Sequence, residues 1–142
     1  MSLPRAFFAA AMLLGATSGC GSNCEVSGSD PVSYQEGTVD STATVYETSP
    51  WYGRWLYFPA GRRYRLYHHL GKAPCCYDTY LAFHEYQTGD NFQAAESAGN
   101  QTVLEAVTDE FIQIHNDTCA EFYLRVTATA APAGAISDAG TD

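Results

Sequence analysis

Basic residues are scarce in this chain: Lys and Arg together number 7 against 16 Asp and Glu, a formal charge of -9 at neutral pH. Phosphate binding rests on clustered Lys and Arg, so a nucleic-acid partner is not expected; the only basic cluster is Arg62, Arg63 and Arg65. No segment carries a sustained helical stripe, and Phe92 to Ala98 is the best candidate for a single helical turn. Several motifs are also missing. There is no Cys-x-x-Cys spacing of redox and zinc sites, no Gly-x-Ser-x-Gly elbow to set a nucleophile and no EF-hand spacing. His68, His69, His84 and His115 lack the i, i+4 helical or short paired spacing of metal sites. Catalytic residues, a resident metal and an enzymatic role are therefore not expected.

What is present begins with an address. Arg5 and the free amine form a short positive region, followed by an apolar segment from Ala6 to Ala16 that breaks at Thr17-Ser18-Gly19. A bilayer core roughly 30 Å thick needs about 20 apolar residues, so this segment reads as a cleaved signal peptide, not a span. Leu14 to Cys20 resembles the lipobox of bacterial lipoproteins: Gly19 and Cys20 match, while the pattern more often carries a leucine first than Thr17-Ser18. The resemblance implies a leader over residues 1–19, acyl chains such as palmitate on Cys20, and a membrane partner held through them. Two or more chains anchor durably where one does so marginally. Gly21 follows Cys20 in place of the aspartate that retains lipoproteins in the inner membrane of enteric bacteria, which by the same resemblance implies the outer membrane, facing the periplasm or the surface.

Removing residues 1–19 takes away Arg5 alone among the charged residues, leaving about 123 residues at a formal charge of about -10. One domain fits that length, and 10 Tyr and 7 Phe supply large groups for its core. Of five cysteines, four remain once Cys20 goes to lipid: Cys24, Cys75, Cys76 and Cys119. An even number in an oxidising compartment reads as disulfides. An adjacent Cys75-Cys76 bridge would be strained. Neighbouring side chains on an extended chain face opposite ways, so Cys119 is expected to bond one of the pair and Cys24 the other.

Residues 20–37 are rich in Gly and Ser, with Asp30 and Pro31, and read as a tether. A domain is expected over residues 38–128, with strands at Ala43–Thr48, Arg54–Phe58, Arg63–Leu70, Thr79–Tyr86, Thr102–Val107, Glu110–His115 and Glu121–Ala128. Alternation puts Tyr64, Leu66, His68 and Leu70 on one face, and Phe122, Leu124 and Val126 inside with Glu121, Tyr123 and Arg125 outside. Pro59-Ala60-Gly61 and Thr88-Gly89-Asp90-Asn91 are turn chemistry. About seven short strands predict an all-β, antiparallel, jelly-roll-like sandwich, with a barrel as the alternative. Residues 129–142 hold Ala, Gly, Pro, Ser, Thr and Asp with one isolated Ile136, and are expected to be a disordered tail.

Trp55-Leu56-Tyr57-Phe58, Pro59-Ala60-Gly61, Tyr64-Arg65-Leu66, Asp78-Thr79-Tyr80-Leu81-Ala82-Phe83 and Phe122-Tyr123-Leu124-Arg125-Val126 follow one another as in the bacterial pre-peptidase C-terminal domain, which residues 53–127 resemble. The resemblance implies a non-catalytic β-sandwich, and some members of that family bind calcium or extracellular polymers. The sequence itself requires no cofactor. Calcium is the one cation it leaves open, near Asp109, Glu110, Asn116, Asp117 and Glu121, where a turn stabilised by Asn and Asp is the simpler reading. Trp51, Tyr52, Trp55, Tyr57, Tyr67 and Tyr77 are more aromatics than one small core absorbs. Trp51, Tyr52 and Tyr67 with Arg63 and Arg65 are thus the expected ligand-binding residues, for a glycan or an envelope protein.

Overall fold

The computed structural model describes residues 30–131; the leader, Cys20, Cys24 and most of the expected tail lie outside them. Twelve strands occur in chain order, and no helix among the described residues. They are β1 (Val32–Tyr34), β2 (Thr38–Val39), β3 (Val45–Glu47), β4 (Gly53–Arg54), β5 (Leu56–Phe58), β6 (Arg63–Tyr67), β7 (Pro74–Ala82), β8 (Tyr86–Gln87), β9 (Ala94–Glu96), β10 (Val103–Val107), β11 (Phe111–His115) and β12 (Phe122–Ala130). The class is as expected, and the strand count is higher than seven.

Four strands form one sheet in the order β1-β6-β11-β10. A second has the order β2-β3-β12-β7-β9, with β5 also on β12, and β4 and β8 form a separate two-stranded sheet. All pairings are antiparallel except β1 with β6. The alternation of side chains builds the core. Tyr64 and Leu66 pair with Ile114 and Ile112 on the inner face of the first sheet, and meet Tyr46, Leu81, Leu124, Val126 and Ala128 of the second. Each such aliphatic or aromatic group, removed from water, contributes about 1.5–3 kcal/mol. His68, expected inside, is fully buried and satisfied: its Nδ1 accepts from the Leu70 amide and its Nε2 donates to the Thr108 carbonyl.

Several boundaries differ from expectation for physical reasons. Phe92 to Ala98 holds no helical turn, because Ala94–Glu96 lies along the edge of β7 with Ala95 opposite Leu81. The stretch read as tether contributes β1, which pairs with β6, while the Tyr34 hydroxyl donates to the Thr48 carbonyl at 2.9 Å. Gly37 in the same stretch lies under the Tyr46 ring, where a Cβ would come within 2.3 Å of Cε2. The strand β12 runs on to Ala130, into the start of the expected tail. At Pro59-Ala60-Gly61 the expected turn forms: Arg62 N bonds the Pro59 carbonyl, and Gly61 takes the left-handed φ of 69° that the third position of a type II turn demands.

Asp40 closes the β2–β3 hairpin. One carboxylate oxygen accepts from the amides of Thr44 and Val45, and the other from the hydroxyls of Thr42 and Thr44. The Thr42 hydroxyl, followed by the Val45 amide, holds this carboxyl well below the ordinary carboxylate range.

Two outcomes follow. Gly37→Ala drives a methyl into a buried ring and should cost about 1–3 kcal/mol, read as a lower midpoint in thermal or denaturant unfolding. Because the folded-state pKa of Asp40 is depressed, its contribution is present above the ordinary value of 3.8 and is lost as pH falls below it. Asp40→Asn should therefore show a melting temperature that falls less steeply between pH 4 and pH 2 than that of the parent protein.

Candidate binding surface

The strand β12 has two partners end to end on one edge: β3 along Thr127–Thr129 and β5 along Phe122–Leu124. Between them the chain leaves the sheet. Thr48 keeps its hold, its amide on the Val126 carbonyl and its hydroxyl accepting from the Val126 amide. Residues 49–55 then loop outward at the level of Arg125 and rejoin at Leu56.

Arg125 fixes this excursion. It sits on the outer face of β12, as alternation requires, yet it is fully buried where the sequence pattern placed it in solvent. Its Nε donates to the Ser49 carbonyl at 2.9 Å, one Nη donates to Glu47 at 2.8 Å, and the guanidinium lies 4.0 Å from the Trp51 ring centroid. A desolvated guanidinium against an indole face is stabilising by about 2 kcal/mol. Trp51 is thereby laid over the sheet, edge-on to Tyr80 at 4.7 Å, and Tyr80 is the β7 residue directly opposite Arg125.

A second loop completes the surface. β4 pairs with β8, the Trp55 amide bonds the Glu85 carbonyl, and buried Gln87 ties the loop to itself through the His84 carbonyl and the Gln93 amide. This brings Phe92 to 5.9 Å from Trp51 and 5.8 Å from Tyr52. Trp51, Tyr52 and Phe92 are 39%, 66% and 41% exposed, a contiguous aromatic cluster open to solvent. Trp55 beneath is buried, its indole N–H donating to the Pro50 carbonyl.

The other sequence-expected binding residues lie on the outer face of the first sheet, away from this cluster in the fold. Arg63 bonds Glu105 at 2.9 Å, Arg65 bonds Gln113 and lies 4.6 Å from the Phe111 ring centroid, and Tyr67 also meets Phe111. Burial raises the Glu105 carboxyl, but the bonds from Arg63 and Gln113 and the Arg63 charge outweigh it and leave it below the ordinary range. Trp51 and Tyr52 are thus brought together, joined by Phe92, Tyr80 and Arg125, which sequence reasoning did not include. No local signal links these five, since they come from two loops and two strands.

The turn weighed for calcium uses its own groups. Asn116 is fully buried, donating to the Phe58 and Ala120 carbonyls and accepting from the Thr118 amide and hydroxyl. No group of three or more His, Cys, Asp or Glu side chains that could hold a metal ion is gathered among the described residues.

The cysteines depart from the expected pairing. Cys75 and Cys76 are both free thiols, so neither bridges to Cys119 or Cys24. Cys119 is disulfide-bonded, and the remaining cysteines, Cys20 and Cys24, lie outside the described residues. The opposed orientation expected of Cys75 and Cys76 fails because the β7–β12 register shifts between Thr129 and Ala130, leaving Cys75 without a partner residue.

Removing Arg125 should loosen the Trp51 loop. Arg125→Met is expected to lower stability by about 1–3 kcal/mol and to increase the accessibility of tryptophan to a neutral fluorescence quencher, since Glu47 and the Ser49 carbonyl lose their donor. Millimolar calcium or chelator should leave the melting temperature unchanged, because the Asn116 side chain is committed to the turn.

No protein-family model, curated protein or solved structure matches this chain.

Proposed function

We propose that this protein is a bacterial lipoprotein, held in the outer membrane through acyl chains on Cys20, whose β-sandwich is a non-catalytic module for binding polysaccharide at the cell envelope. The observation that carries the binding role is the exposed cluster of Trp51, Tyr52 and Phe92 on a base fixed by buried Arg125. Aromatic side chains bury large areas with few rotatable bonds, and their faces suit the apolar C–H faces of sugar rings. The rings are inclined at 49° and 58° to Phe92, a stepped surface that follows a twisted single chain better than a flat crystalline one. A formal charge of about -10 on the mature chain repels polyanions, which favours a neutral glycan.

The anchor and the ligand are tested separately. Mass spectrometry of the mature protein should find an N-terminus at Cys20 with acyl mass, and an unmodified N-terminus elsewhere contradicts the anchor. In affinity electrophoresis through a panel of neutral soluble polysaccharides, the parent protein should be retarded by at least one. Tyr52→Ala and Trp51→Ala should each weaken that retardation about tenfold, as expected for roughly 1.4 kcal/mol of lost contact. Tyr67→Ala should not. Equal retardation of all four proteins contradicts the assigned surface.

A further inference from the structure

The outer face of the second sheet carries a pair of groups that the aromatic cluster does not use. Cys75 and Cys76 are exposed, and their sulfurs lie 3.2 Å apart. On a regular strand they would face opposite ways. Here Cys76 stands opposite Thr129, Pro74 stands opposite Ala130, and Cys75 is the extra residue of a bulge. The bulge turns both sulfurs to one side. The Cys75 thiol reaches the Thr129 carbonyl at 3.4 Å, and the Cys76 thiol donates to the Cys75 sulfur. β9 pairs only with Tyr80, Leu81 and Ala82, so among the described residues no strand pairs with the β7 edge beside the thiols.

We infer that Cys75 and Cys76 form a paired-thiol modification site that a small disulfide oxidises reversibly to a bond between the two adjacent residues. Cys75 attacks first, because its thiolate keeps a hydrogen-bond donor in the Cys76 thiol. The Cys75 thiolate bonds to one sulfur of the incoming disulfide, whose other half leaves as a thiolate and takes up a proton. Cys76, after losing its proton, then attacks the Cys75 sulfur of the mixed disulfide and expels the second half as a thiol. Two S–H bonds are lost and one S–S bond forms in the protein, while the small disulfide is reduced to two thiols. The sulfurs need to close by only about 1 Å to reach bonding distance. Adjacent Cα atoms about 3.8 Å apart are closer than the usual disulfide span, so the product is of the readily reduced kind. Burial plays little part; the bond to Cys75 and its charge are what raise the Cys76 thiol above its ordinary range, as suits a resolving thiol.

The test uses the purified protein with glutathione disulfide, followed by mass spectrometry of the peptide carrying residues 75 and 76. The parent protein should lose two hydrogens, retain no glutathione and recover both thiols with dithiothreitol. Cys76→Ser should stop with one glutathione on Cys75, and Cys75→Ser should take up glutathione at least severalfold more slowly. Stable glutathione adducts on the parent protein, dimers linked through this peptide, or unreacted parent thiols where Cys76→Ser reacts would each overturn the inference.

Discussion

A single buried guanidinium organises the surface of this domain. Placing Arg125 out of water costs several kcal/mol, and against that cost stand the carboxylate of Glu47, the Ser49 carbonyl and the face of Trp51, while Nη1 has no hydrogen-bond partner. Those partners can converge only if the chain leaves the sheet between β3 and β5. The gap in the edge of β12, the outward course of residues 49–55 and the position of Trp51 are thus one arrangement. Thr48 locks its near end through Val126, and Tyr34 of β1 bonds the Thr48 carbonyl from the first sheet. β1 therefore reaches the base of the aromatic cluster.

The fold was legible wherever alternation met a solvent boundary. Tyr64 and Leu66 on β6, and Phe122, Leu124 and Val126 on β12, face inward because period-two spacing leaves apolar groups no other burial, and His68 just past the end of β6 keeps the same inward side. Arg125 follows the same period, which puts it on the outer face. Its burial was not legible, because a charged residue on an outward position is covered only when a distant loop folds over it. β9 was missed for a related reason: Ala94-Ala95-Glu96 has little intrinsic strand preference, and the open edge of β7 decides its conformation. Val32-Ser33-Tyr34 is too short to signal a strand unless β6 is beside it.

The cysteines show where alternation misleads. Adjacent residues on a regular strand face apart, which makes two separate bridges the natural expectation. A single inserted residue cancels that geometry and places two thiols side by side. Two of the five residues of the candidate site are visible in the sequence, as Trp51-Tyr52. Its other ring, Phe92, and its base, Tyr80 and Arg125, are far away in the chain and are united only by the pairing of β7 with β12 and of β4 with β8.

In the function proposed above, Arg125 and the paired loops hold a preformed aromatic surface for a neutral glycan. The most direct measurement is an NMR titration of the isotopically labelled protein with a soluble neutral polysaccharide that retards it. Shift changes confined to Trp51, Tyr52 and Phe92, with the buried Trp55 indole and the Arg63–Tyr67 strand unmoved, are the predicted result. Changes centred on Arg63, Arg65 and Tyr67, or none around Trp51, would contradict it.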